Sequence, residues 1–147
     1  KMRYGLSFYR TGTLTAYAKA YLKVLPKDVN VLISSGSSGC TIASAMLCFS
    51  KRPLKHIYIP KSTETRHFLQ VLVLRKEKSV AIVDDFICNG ETIQRIIDIL
   101  ISQYKVGKSK IYVLTTTTPD DLCYDARRSM RQTHYIPVED IENNDIN

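Results

Sequence analysis

The stretch Val80-Ala81-Ile82-Val83-Asp84-Asp85-Phe86-Ile87-Cys88-Asn89-Gly90-Glu91-Thr92-Ile93 restricts the fold of this chain more than any other. Four apolar residues in succession, three of them β-branched, read as a strand buried on both faces, which is the mark of a parallel sheet. Two carboxylates stand where that strand runs out, and a short polar turn containing Gly90 follows. From Glu91 onward Ile93, Ile96, Ile97, Leu100 and Ile101 recur at helical spacing. The expected order is strand, acidic pair, glycine turn, helix, with the helix running to about residue 104 and ended by Gly107.

Such a junction suits a phosphorylated sugar. A turn that feeds a helix leaves backbone N–H groups without intrahelical acceptors, backed by the positive end of the helix dipole, and so holds a phosphate. Gly90 permits close backbone approach and the Thr92 hydroxyl adds a donor. Asp84 and Asp85 suit sugar hydroxyls or a hydrated magnesium ion, which prefers carboxylate and phosphate oxygens. Phosphate on one side and hydroxyls on the other describe ribose 5-phosphate.

The same alternation recurs along the chain. A helix is expected over residues 14–25 with Thr13 as its cap, Tyr17, Tyr21 and Leu25 sharing a face. Val31-Leu32-Ile33 reads as the first core strand, and Ser35-Gly36-Ser37-Ser38-Gly39 as a small-residue anion cradle before a helix opened by Ile42. His56-Ile57-Tyr58-Ile59 is a second strand, stopped by Pro60. Residues 69–74 are expected as an edge or hairpin strand, residues 111–114 as a strand, and Asp120 or Asp121 as the cap of a helix reaching Arg131. In that helix Arg127, Arg128 and Arg131 are read as a solvated face. Residues 134–136 form the last expected strand, and the polar residues 139–147 are expected to fray. The fold class that follows is α/β, a doubly wound, mainly parallel five-stranded sheet flanked by helices, in one domain of 147 residues.

The signature stretch resembles the phosphoribosyl-pyrophosphate (PRPP) motif of the type I phosphoribosyltransferases. Both acids, the apolar pair Phe86-Ile87, Gly90 and Thr92 match it, while Asn89 stands where Thr is usual and Cys88 at a variable position. The resemblance implies transfer of ribose 5-phosphate from PRPP to a nitrogenous base with release of pyrophosphate, dependent on magnesium. It implies that Asp84 and Asp85 hold the ribose hydroxyls or magnesium, directly or through water, and that Cys88, Asn89, Gly90, Glu91 and Thr92 hold the 5-phosphate. It places Ser35, Gly36, Ser37, Ser38, Gly39 and Lys61 on the pyrophosphate, and Arg66 or His67 on a loop that closes over the site. Residues 1–13 are the candidate hood segment over the base, and a homodimer is implied. The acceptor base stays open, although an acid that some purine-using relatives carry is absent at Cys88.

One departure from the family supports a second hypothesis. Only eighteen residues, 62–79, separate Lys61 from Val80, fewer than the usual mobile hairpin. A PRPP- or nucleotide-sensing protein without turnover, with RNA as a secondary partner, is therefore the alternative. The charge distribution bears on it: residues 1–68 carry eleven Lys and Arg against Asp28 and Glu64, a net +9 within a total of +7. A third and weaker reading is a small Rossmann-like methyltransferase. No run of 18 apolar residues and no signal-peptide pattern is present, so a soluble cytoplasmic protein is expected. Cys40, Cys48, Cys88 and Cys123 form no C-x-x-C pair and are expected as reduced core or turn thiols.

Overall fold

The structure, a computed structural model, describes residues 11–61 and 79–138. Its elements in order are α1 (Thr11–Val24), β1 (Val29–Ser34), α2 (Ser37–Phe49), β2 (Lys55–Tyr58), β3 (Ser79–Val83), α3 (Glu91–Ser102), β4 (Ile111–Thr115), α4 (Tyr124–Ser129) and β5 (His134–Pro137). Short 3₁₀ turns at Lys108–Lys110 and Pro119–Asp121 precede β4 and α4. The five strands are all parallel in the order β2-β1-β3-β4-β5. Leu32 stands opposite Ala81 and Ile33 opposite Ile82, so the two apolar strands expected at the centre of the sheet are direct neighbours.

The uninterrupted apolar strands follow from burial on both faces. Val31, Ile33, Val80, Ile82, Ile111 and Val113 point toward α3 and α4, packing with Ile93, Ile96, Ile97 and Leu100. Their alternates Leu32, Ala81, Val83 and Leu114 pack on the other face with Ala18, Tyr21, Ile42 and Met46 of α1 and α2. Each fully buried Leu or Ile contributes about 1.5–3 kcal/mol, which makes these two layers the main stabilising term. Helix α2 leads away from β1 to one edge and α3 leads away from β3 to the other. The order reverses between β1 and β3, and in an open parallel sheet the region beyond the carboxyl ends at such a reversal is where a ligand is expected.

Several boundaries differ from the sequence expectation. Helix α1 includes Thr13, which is buried with its hydroxyl unpartnered and so caps nothing. The first turn is instead tied by Thr15, whose hydroxyl donates to the Thr11 carbonyl at 2.9 Å. Helix α3 ends at Ser102, and the left-handed residue after it is Lys105 (φ 57°), while Gly107 is extended. The single helix expected from Asp120 is split, because Pro119 opens a 3₁₀ turn and Cys123 caps a separate α4 by accepting the Ala126 amide. Arg127 is not merely solvated: its guanidinium donates to the carbonyls of Leu122 and Pro119. Of the core and turn places expected for the thiols, Cys88 and Cys123 take turns, and Cys48 is exposed near the end of α2. The hood residues 1–10, the strand expected at 69–74, Arg66, His67 and the tail 139–147 lie outside the described residues. Among the described residues no helix is long and apolar enough to cross a membrane.

Gly39 sets how closely α2 approaches the sheet. A Cβ there would lie 2.5 Å from the Val83 carbonyl oxygen, a backbone atom that cannot turn aside. Gly39→Ala is expected to lower stability by about 1–3 kcal/mol, read from the shift of the urea denaturation midpoint. An unchanged midpoint would mean that α2 backs away from β3 freely.

Candidate functional site

Two turns of one design follow the carboxyl ends of β1 and β3. After β1, Gly36 takes φ 88°, and the first intrahelical bond of α2 runs from the Cys40 amide to the Gly36 carbonyl. After β3, Gly90 takes φ 81°, and the first bond of α3 runs from the Gln94 amide to the Gly90 carbonyl. In each case three amides precede the first bonded one and have no intrahelical acceptor. They belong to Ser37, Ser38 and Gly39 in α2, and to Glu91, Thr92 and Ile93 in α3. The cradle expected as the loop 35–39 is therefore shorter than predicted, since Ser37, Ser38 and Gly39 are already the first turn of the helix. A helix N-terminus serves an anion better than a loose loop, because the dipole stands behind the same amides.

The acceptor on Asn89 alters the second turn. Its side-chain oxygen accepts the Glu91 amide at 3.1 Å, which leaves the amides of Thr92 and Ile93 and the Thr92 hydroxyl as donors from the helix end. Cys88 and Asn89 are exposed, and Gly90 is buried against α4, where a Cβ would meet the Ala126 Cα at 2.7 Å. Asn89 and Glu91 also border a groove of about 570 Å³ along α3, which contains neither acid of the pair nor Lys61.

The acidic pair is held from three sides. The Asp84 amide donates to the Leu114 carbonyl, extending the β3–β4 ladder by one residue. The Asp85 carbonyl accepts the Thr116 amide and the hydroxyls of Thr115 and Thr116, and the Thr117 hydroxyl accepts the Ile87 amide. From α1 the buried Tyr21 hydroxyl donates to the Asp84 carbonyl at 2.6 Å. Tyr21 is thus a core residue that braces the acid turn, and Tyr17 stacks on it with ring centroids 6.4 Å apart.

Burial, a side-chain hydrogen bond with Asp85 and the Asp85 charge push the Asp84 carboxyl up to about 8, while the Asp85 backbone amide and the Lys61 charge oppose this. Asp84 Oδ1 accepts the Asp85 amide at 2.9 Å. Lys61, just beyond β2, lies against the first turn: its Cε and Nζ are 3.5 and 3.8 Å from where a Gly36 Cβ would stand. Lys61, the Gly36 turn and the acidic pair therefore meet at the ends of three adjacent strands. Two adjacent carboxylates match what magnesium takes from protein when substrate phosphates complete its shell.

Sequence reasoning passed over three groups that hold the site together. The threonine run after β4 carried a visible signal, four hydroxyls in succession at a strand end. Tyr21 showed only as one aromatic of a helix face. Arg95 is the single basic residue between Glu91 and Ser102, and it donates to the Pro60 carbonyl at 2.7 Å and the Ser35 hydroxyl at 2.6 Å.

No protein-family model matches this sequence, and no curated protein matches it. Among solved structures the chain is similar to the adenine phosphoribosyltransferase of Thermoanaerobacter pseudethanolicus ATCC 33223, with a TM-score of 0.64 and 15% identity. The similarity covers 86% of this chain and 80% of that one. The fold is the type I phosphoribosyltransferase fold, a parallel five-stranded sheet flanked by helices, as the signature stretch implied.

Proposed function

We propose that this protein transfers ribose 5-phosphate from PRPP to a nitrogenous base, releasing pyrophosphate, with magnesium. The observation that carries the reading is the meeting of Lys61, the Gly36 turn and Asp84-Asp85 at the switch point of the sheet, beside a second helix N-terminus. In this reading the amides of Thr92 and Ile93 and the Thr92 hydroxyl bind the 5-phosphate, with Cys88, Asn89, Gly90 and Glu91 shaping the turn. Asp84 and Asp85 would hold the ribose hydroxyls or the magnesium, which would supply positive charge to offset that of the phosphates. Ser35, Gly36, the amides of Ser37, Ser38 and Gly39, and Lys61 take the pyrophosphate.

The bond between the anomeric carbon and pyrophosphate breaks with its electron pair leaving on pyrophosphate, and a nitrogen of the acceptor forms the new bond, its proton passing to water. Positive charge develops on the ribose and negative charge on the leaving group. The protein acts by orienting both ends of PRPP and by stabilising the departing charge with amides and Lys61 set in place beforehand. The same reading carries a cytoplasmic dimer with a nucleobase or related small molecule as acceptor.

Calorimetric titration of PRPP into the full chain, with and without magnesium, tests the proposal. Magnesium-dependent binding followed by pyrophosphate release with one base of a panel is the expected result. A folded protein that binds no PRPP overturns it. Binding without turnover on any base would favour the sensing alternative, which rests on the eighteen residues between Lys61 and Val80.

A further inference from the structure

We propose that Arg95 is the positioning residue for the pyrophosphate half of the site, the side chain that holds the β1–α2 turn and the end of β2 together. The inference rests on the PRPP reading above. Of the two acceptors of Arg95, one is next to a group assigned to pyrophosphate and the other, Ser35, is itself so assigned. Pro60, whose carbonyl takes one guanidinium nitrogen at 2.7 Å, precedes Lys61. Ser35, whose hydroxyl takes the other at 2.6 Å, precedes Gly36. Between these two anchors the Lys61 side chain lies against Gly36, so the fork brackets the contact that brings the cation to the amide turn.

The chemistry of the Ser35 hydroxyl points the same way. Ser35 is 6% exposed and accepts from a charged donor, so its oxygen is engaged and its proton is left to donate. A hydroxyl with its proton available beside the first amides of α2 adds a donor for an anion. Arg95 also stands in the second turn of α3, the helix whose first turn would bind the 5-phosphate. One planar guanidinium therefore links both anion turns and the β2 end, and a lysine, with a single ammonium on a flexible stem, cannot span the two acceptors with the same geometry.

The test is calorimetry on the full chain with two probes, magnesium pyrophosphate and ribose 5-phosphate, titrated separately. Arg95→Met and Ser35→Ala are each expected to weaken pyrophosphate roughly tenfold or more. Ser35→Ala removes the Arg95 acceptor together with a hydroxyl assigned to pyrophosphate, so the double variant should lose no more than Ser35→Ala alone. Ribose 5-phosphate affinity should stay within about twofold, and Arg95→Lys should remain nearly as weak as Arg95→Met for pyrophosphate. Equal losses for both probes would show general loosening and overturn the inference, as would full recovery by Arg95→Lys, which would assign the effect to charge alone. If Arg95→Met does not fold, Arg95→Gln is titrated in its place and decides between the same outcomes. Wild type that binds neither probe would refute the PRPP reading and this inference with it. Wild type that binds both, with pyrophosphate unaffected by either substitution, would refute this inference alone.

Discussion

Replacing both acids, Asp84→Asn with Asp85→Asn, is expected to weaken magnesium-dependent PRPP binding by about a hundredfold or more, since each lost charged acceptor contributes roughly 1.5–3 kcal/mol. Stability should move the other way. The Asp84 carboxyl is held near 8 in the folded protein by burial and by Asp85, whereas in the unfolded chain it titrates in the ordinary carboxylate range. The folded state therefore binds the proton more tightly. The resulting stability is fully present below about pH 4 and is lost as the pH rises through about 8. Asn cannot ionise, so Asp84→Asn removes this loss. Because Asp84 is only partly buried and Lys61 offsets some of the penalty, the gain at alkaline pH is on the order of 1–2 kcal/mol. Thermal denaturation of wild type and Asp84→Asn at acid and alkaline pH checks this. The wild-type melting temperature should fall with pH and the variant's should fall less. Parallel pH profiles would show that Asp84 ionises in the fold without penalty, and unchanged PRPP affinity in the double variant would remove the pair from the site.

Gly90→Ala should damage both fold and site. At φ 81° an L side chain costs about 1–2 kcal/mol. The added Cβ would also stand 2.7 Å from the Ala126 Cα and 3.1 Å from the Ala126 Cβ, so α4 must shift, at a further cost of about 1–3 kcal/mol. The summed loss, about 2–5 kcal/mol, is a large share of the stability of a domain this size. Urea denaturation reads it, and ribose 5-phosphate affinity should fall with it because the amides of Thr92 and Ile93 move with the cap. A Gly90→Ala protein with wild-type stability and affinity would show that α4 does not confine the turn.

How much was legible in the chain depends on the range of the interaction. Val80 to Ile93 carried its own reading, because burial of a strand on both faces, the chemistry of an acidic pair and helical periodicity are all properties of neighbours in sequence. The same holds for β1 and its glycine turn, which is why the two anion turns and the parallel sheet are legible in the chain. Boundaries were less legible where side chains compete locally for backbone groups. Cys123 displaced the expected aspartate cap because Pro119 committed the preceding residues to a 3₁₀ turn. Asn89 spends its oxygen on the Glu91 amide, a choice that residue type alone left open.

Tertiary structure alone decided what supports the site. Arg95 joins positions 35 and 60 residues away, Tyr21 reaches across 63 positions to Asp84, and Thr115 reaches 30 back to Asp85. No periodicity encodes such contacts, since they exist only after the order β2-β1-β3-β4-β5 has brought the strand ends together. Which segments become strands, helices and anion turns follows from burial and backbone chemistry that neighbours along the chain already carry. Only the packed sheet decided which side chains hold those turns in place, because that depends on which distant carbonyls and hydroxyls come within hydrogen-bonding distance.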